Sequence, residues 1–395
     1  MKKRLPEGFL AAGIHCGLKK KRKDLALFFS EKTCKTVAFF TTNAVKAAPV
    51  ILGMEQLGRR DELRAVVVNS GNANCMTGAG GMDDARKMAA RMQDLLDTPE
   101  DSVLVSSTGI IGKRLDRGTV LAGMKKLVGD LSADGLEDAA EGIVTTDKFT
   151  KISVRTFKAG GRSVTITGVA KGAGMIHPDM ATTLCYVMTD AAISRPAMRA
   201  AFRESTDLTF NSITVDGDMS TNDTMLLMAN GAAGNRIINK SGRDYNAFRK
   251  NLRMVCSDLA RMVVLDGEGA SRFVEVRIKN AVSDEEARKA AKSVAGSLLV
   301  KCAVLGGDPN WGRIASSIGA SRVSCDPAKM VIKLDGKVFF SKGCPVRQVD
   351  RKKSGVFKGK DVLIEVSMGM GNGEATVYTC DISKKYLTLN SFYTT

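Results

Sequence analysis

Apolar positions along this chain follow two rhythms, one with strand spacing and one with helix spacing. Runs such as LALFFS and TVAFFTTN, within residues 25–43, are dense in Leu, Val and Phe and stop at turn formers, Asn43 and then Pro49. That texture predicts strands. Residues 65–68 read as a buried strand that runs into a loop dense in Asn and Gly, up to Gly81. Behind it, Ala85, Met88, Ala89, Met92, Leu95 and Leu96 recur at helical steps and form one apolar face. SVLVSSTGIIG (102–112) again joins a strand to a loop of small residues, and a helical stretch near 136–143 follows. KISVRTF and SVTITGVA, joined at Gly160 and Gly161, predict a hairpin. After residue 191 the texture changes. SRPAMRAAFRESTD reads as helix and TFNSITVDGDMSTNDTMLLMANG as strand, turn and strand. Phe248, Leu252, Val255, Leu259 and Met262 mark an amphipathic helix over 245–264. Another composition shift falls near 274–280. Ser283 with Glu286 makes a capping box for the helix DEEARKAAKSVAGSLL. The end of the chain is β-rich: KMVIKLDGKVFF, DVLIEVSMGMGNGEATVYTCDIS, KKYLTLN. Alternating strands and helices predict a mixed α/β class.

A chain of 395 residues exceeds one compact core of usual size, so two or three substructures are expected. Its 44% hydrophobic and 26% charged content are those of a globular protein, and no apolar run reaches membrane-spanning length. The basic start lacks the continuous apolar core and cleavage site of a secretory signal, so a cytoplasmic location is expected. Nine scattered cysteines, none in CxxC spacing, read as reduced thiols. With only His15 and His177 present, a histidine metal site or a Ser-His-Asp triad has little material, so an enzyme here must find its base elsewhere. The net charge of +17 raises nucleic-acid binding as an alternative. Aromatic content of 5% and short, separated basic clusters (19–23 and 351–353) favour instead a solvated surface suited to anionic metabolites.

The candidate chemistry centres on residues 168–191, GVAKGAGMIHPDMATTLCYVMTDA: strand, irregular loop, strand. Ala181, a small residue, precedes Thr182 where the chain re-enters an apolar run. A threonine hydroxyl is a poor nucleophile without a proton acceptor. Cutting the bond before it would create an α-amine of pKa about 7.7–8.0, partly free base at neutral pH. Threonine with its own N-terminal amine is an activated nucleophile. Lys171 lies eleven residues earlier, where it could lower that amine's pKa by like-charge repulsion or hold a substrate carboxylate. Three other motifs fail. The loop after 65–68 lacks GxxxxGK[ST]; Asp216, Asp218, Asn222 and Asp223 have the wrong register for a calcium loop and read as a structural turn; and GMGNG (369–373) has no helix after it and reads as a hairpin.

KGAGMIHPDMATTL resembles the autocleavage segment of the ornithine acetyltransferase family, the glutamate N-acetyltransferases of arginine biosynthesis, with Asp179 where an asparagine is more usual. FFTTNAVKAAPV, SSTGIIG, VTTDKFTK, VDGDMSTNDT, DGEGA, GGDPNWGRI and the tail SFYTT match further segments in order and at similar spacing. The resemblance implies a cut between Ala181 and Thr182, giving α and β chains, with Thr182 as nucleophile and Thr108 and Gly109 as the oxyanion site. It implies substrate contacts from Thr145, Lys171, Thr182, Glu268, Asn390 and Thr395. The implied fold is an α/β/β/α-layered, N-terminal-nucleophile-like enzyme. A main catalytic domain spans 1–195, with smaller α/β parts at 196–275 and 276–395. The implied reaction moves acetyl from N2-acetyl-L-ornithine to L-glutamate through an acetyl-threonine enzyme, with no metal or cofactor; whether acetyl-CoA is a further donor is left open by the sequence. Two α and two β chains would form a heterotetramer, with neither nucleic acid nor membrane as partner. An amidase or aminopeptidase of the same nucleophile type is the alternative within this chemistry.

Overall fold

The computed structural model describes residues 4–177, 183–346 and 355–392. Its first sheet has eight strands: β1 (Phe9–Ile14), β2 (Leu25–Phe40), β3 (Glu62–Asn72), β4 (Val103–Ile110), β5 (Lys151–Ala159), β6 (Arg162–Lys171), β7 (Leu184–Thr189) and β8 (Thr224–Ala229). Their order is β4-β3-β2-β8-β7-β6-β5, with β1 also on β2. Helices α1 (Ala48–Arg59), α2 (Gly78–Leu96), α3 (Arg117–Gly129) and α4 (Leu136–Ile143) precede β5, and α5 (Arg195–Leu208) and α6 (Gly242–Leu265) flank β8.

The 16-residue β2 explains the shape. Its first half pairs with β1 and β3 and its last six residues pair with β8; the register shifts between Phe29 and Cys34, where the strand passes from one layer to the next. Because successive side chains alternate faces, each layer has an inner and an outer apolar side. Phe28, Val66 and Val68 of one layer meet Val169, Tyr186 and Met188 of the other, the Phe28 and Tyr186 rings 5.4 Å apart. Met88, Met92, Val120 and Met124 of α2 and α3 cover Leu27, Val67 and Val105 outside the first layer. Phe202 of α5 and Phe248, Leu252 and Leu259 of α6 cover Ile166, Val187 and Leu227 outside the second. Each such fully buried side chain contributes about 1.5–3 kcal/mol over an exposed one. The result is helix, sheet, sheet, helix, as the resemblance implied.

A second sheet, β12-β11-β10-β13-β9-β14, is built from β9 (Phe273–Ala281), β10 (Val331–Leu334), β11 (Lys337–Ser341), β12 (Cys344–Pro345), β13 (Asp361–Ser367) and β14 (Gly373–Cys380). Its apolar core is shared with α7 (Asp284–Gly296) and includes residues of α8 (Leu298–Gly306) and α9 (Trp311–Ala320). The Ser283 hydroxyl accepts the Glu286 N–H at 3.2 Å, the capping bond expected at the start of α7. A last helix, α10 (Lys384–Phe392), ends the described chain. No helix of the described residues is long and apolar enough to cross a membrane.

Four expectations change. Residues 196–275 do not make a domain of their own, because β8 sits between β2 and β7 and α5 and α6 bury their apolar faces on that same sheet. TFNSIT supplies no strand; Phe210–Ser212 is one 3-10 turn. GMGNG is not a hairpin, since β13 and β14 lie on opposite sides of β9 and the loop crosses the end of that strand. KKYLTLN is helical, in α10, which packs on a loop and joins no sheet edge.

Candidate active site

Lys171 ends β6 opposite Leu184, the first residue of β7. Residues 172–177 leave that corner and run along a cleft of about 310 Å³, room for one amino-acid-sized molecule. Thr108, Gly109, Thr145, Lys171, Glu268 and Asn390 all line it. Ala181, Thr182 and Thr395 lie outside the described residues, as do Asp179 and the basic run 351–353. Thr183, the next residue after Thr182, is buried at the head of β7, where its carbonyl accepts the Thr224 N–H at 3.0 Å.

Thr108 and Gly109 stand at the end of β4, beside a register shift in the β3–β4 ladder at Gly71 and Asn72. Gly109 has φ +136°, and a Cβ there would lie 2.4 Å from the Gly71 carbonyl carbon, so only glycine fits. Asn222, just before β8, donates to the carbonyls of Ser107 (2.8 Å) and Ala73 (2.7 Å), which ties the entry of β8 to the end of β4.

Thr145 sits in the loop after α4, where its N–H donates to Asp147 Oδ2 at 3.0 Å. The loop is gripped from outside by Lys19 Nζ on the Val144 carbonyl (2.8 Å) and Arg22 on the Asp147 carbonyl (2.9 Å). Desolvation lowers the Lys19 ammonium to about 8 despite Asp24. Lys23 pairs with Asp138 and Glu141. The cluster 19–23 is therefore only partly the solvated surface expected, because three of its cations serve this loop and α4.

Residues 172–176 are pinned by acceptors from other elements. The Gly172 N–H donates to Asp147 Oδ1 at 2.7 Å, and the Met175 and Ile176 N–H groups donate to Asp216 at 2.7 and 2.9 Å. Glu268 N–H donates to the Ala173 carbonyl at 2.9 Å. A Cβ on Gly174 would fall 2.8 Å from Glu268 Oε2, so glycine lets this carboxylate approach the loop. Asn390 of α10 reaches back to donate to Glu268 Oε2 at 2.9 Å. His177 meets Thr214 Oγ1 at 3.1 Å, a structural contact.

The chain is strongly basic, yet the described lining of the cleft holds one cation, Lys171, and four acids, Asp216, Asp218, Asp223 and Glu268. Desolvation lowers the Lys171 ammonium, with Asp147 and Asp223 pulling the other way. Burial pushes the Asp223 carboxyl up to about 8 against the opposing charge of Lys171. Burial, with Asp216, Asp218 and Glu268, pushes the Tyr386 phenol up to about 12. Among the described residues, no group of three or more His, Cys, Asp or Glu is arranged to hold a metal ion.

The family model for the ArgJ family matches residues 10–395. The chain belongs to the ArgJ family. It is 44% identical to the arginine biosynthesis bifunctional protein ArgJ of Caldanaerobacter subterraneus, over 99% of this chain and 98% of that protein. It is also 44% identical to the protein of that name from Geobacter sulfurreducens, over 98% of this chain and 99% of that one. A solved ornithine acetyltransferase of Mycobacterium tuberculosis, complexed with ornithine, is 35% identical over 45% of this chain and 96% of that chain, with TM-score 0.40.

In this ArgJ-family chain the turn 216–223 is more than a turn. Asp216 pins the loop 172–177, Asn222 braces β4, and Asp223 lines the cleft. Sequence reading also passed over Asp147, although it stands in the same TTD segment as Thr145. The available signal was a dense set of Asp and Asn directly before an apolar strand, but nothing local says which strand β8 will join.

Proposed function

We infer that this cleft moves an acetyl group from N2-acetyl-L-ornithine to L-glutamate in arginine biosynthesis. The observation that supports this most is the convergence of Thr108, Gly109, Thr145, Lys171, Glu268 and Asn390 on one amino-acid-sized cleft, in a chain of the ArgJ family. The acid-rich wall suits the ammonium groups of ornithine, and Lys171 is the described lining cation that can hold a carboxylate.

In this reading the bond between Ala181 and Thr182 is cut first. The Thr182 hydroxyl then gives its proton to its own α-amine, and its oxygen attacks the acetyl carbonyl. Thr108 and Gly109 donate to the oxyanion as it forms. The amide bond breaks, the proton passes to the departing ornithine nitrogen, and acetyl-threonine remains. The glutamate amine attacks that ester, loses a proton, and frees the Thr182 hydroxyl as N-acetylglutamate leaves. Acetyl-CoA as a second donor would enter at the same acetyl-threonine, and two α and two β chains would form the assembly.

The test is an intact mass of the wild type beside Thr182→Ala, with an acetyl-transfer assay on each. Two fragments meeting at 181/182 and glutamate-dependent consumption of acetylornithine are expected for the wild type, and one inactive full-length chain for the variant. Acetylornithine consumption indifferent to glutamate would instead identify a hydrolase.

A further inference from the structure

Below the cleft, Lys151, Asp147 and Asp266 form an ion cluster with side chains wholly shut off from solvent. Lys151 Nζ lies 2.6 Å from Asp147 Oδ1 and 2.6 Å from Asp266 Oδ2. None of the three lines the cleft. Each carboxylate is spent on backbone N–H groups of loops that do. Asp147 accepts from Thr145 (3.0 Å) and from Gly172 (2.7 Å), the residue after Lys171. Asp266 accepts from Lys148 at 3.2 and 3.0 Å, and it sits two residues before Glu268. Lys148 Nζ closes the ring on the Gly267 carbonyl at 3.3 Å.

We propose that Lys151 is a positioning residue that holds the Thr145 loop, the Lys171–Gly172 corner and the Glu268 turn in register, so that the amino-acid part of the substrate is bound by all three at once. This rests on the function proposed above. Burial would raise the Asp147 carboxyl, but Lys151 and Lys171 outweigh it and hold it at about 2, whereas burial leaves the Asp266 carboxyl raised in spite of Lys151. Stability alone gives little reason for such a cluster, since apolar side chains of similar volume often serve as well. Its distinguishing property is reach, because one ammonium fixes loops from three separate parts of the chain. Thr108 and Gly109 are held by a different set of bonds, the β3–β4 ladder and Asn222, so the oxyanion site does not depend on Lys151.

That separation supplies the test. With p-nitrophenyl acetate, acetyl passes to Thr182 Oγ, nitrophenolate leaves, and water then releases acetate; no amino-acid contact is needed. Lys151→Met is expected to raise KM for both acetylornithine and glutamate by ~10-fold or more, the loss of about 1.4 kcal/mol of substrate binding. The nitrophenolate rate of the self-cleaved variant is expected to stay within about 3-fold of wild type. Asp266→Asn, which keeps shape and leaves Asp147 to accept from Thr145 and Gly172, is expected to give the same split with a smaller KM rise. Should Lys151→Met fail to fold, Asp266→Asn decides. Both rates falling together, or neither KM moving, would overturn the positioning role. A wild type without acetyl transfer would overturn the functional reading instead.

Discussion

Asp223 is 2% exposed, its Oδ2 meets no hydrogen-bond partner among the described residues, and Lys171 is a nearby cation that favours its charged form. Burial raises this carboxyl to about 8, against about 3.9 in an unfolded chain. Between those values the folded state binds the extra proton, so the group's contribution to stability is lost as pH rises from about 4 to about 8. Asp223→Asn keeps the shape without the titration. Thermal melts should therefore show little difference from wild type near pH 4 and a gain that grows towards pH 8, on the order of 2–4 °C per kcal/mol recovered. A gain that does not vary with pH would mean that Asp223 does not titrate in this window. The sequence showed the acids of 216–223 but not their burden. A solvated Asp in a Gly-containing turn and a buried one at a strand mouth are spelled alike. Only the parallel pairing of β8 with β7 brings this one beside Lys171. Thr108, Gly109, Thr145, Lys171, Glu268 and Asn390 were legible through their motifs. Lys151 was not, since one lysine among 59 Lys and Arg carries no local mark of burial.

Most elements could be read from their period. The α2 and α6 stripes and the β5–β6 hairpin with its Gly160–Gly161 turn depend on local spacing, and they fold as that spacing predicts. The tail did not follow the same logic. Leu387, Thr388 and Leu389 alternate like a strand, but no sheet edge receives them, and α10 buries none of its residues. What holds it is polar and close. A Cβ on Gly269 would lie 2.4 Å from the Tyr386 nitrogen, Ser383 Oγ donates to the Gly269 carbonyl at 2.6 Å, and Asn390 donates to Glu268. An element that buries no side chain adds little to the core yet completes the cleft wall. Ending the chain after Ser383 is therefore expected to shift Tm by less than about 3 °C. The same truncation should raise KM for the amino-acid substrates ~10-fold or more, since it takes Tyr386 and Asn390 out of the cleft wall and a lost contact of about 1.4 kcal/mol is tenfold in affinity. Kinetics and a melt on the truncated protein check this; unchanged KM would show that α10 is no part of the working site.

At the scale of the molecule, class and layer order were within reach of the resemblance, but the domain division was not. The texture change after residue 191 is real, yet it marks a second set of helices on the same sheet, because pairing of β8 with β2 joins residues far apart in sequence. That pairing has a consequence for a cut chain. A break at 181/182 would leave β2 through β6 on one fragment and β7 and β8 on the other. The sheet order interleaves them, with β8 and β7 lying between β2 and β6. Six residue pairs join β2 to β8 and six join β6 to β7. The central core mixes Phe28 and Val66 of the first fragment with Tyr186, Met188 and Leu226 of the second, and the Lys151–Asp266 ion pair crosses the divide. Separation would expose that core and leave buried charges without partners, a cost of several kcal/mol for the ion pair alone. The two fragments are therefore expected to elute as one species from a sizing column in native buffer and to part only in denaturant. Free fragments in native buffer would mean that the layers do not share this sheet in solution. Co-elution through dilution, with separation at the same denaturant concentration that abolishes tertiary structure, would mean that cleavage changes the chemistry of Thr182 and leaves the fold as one cooperative unit.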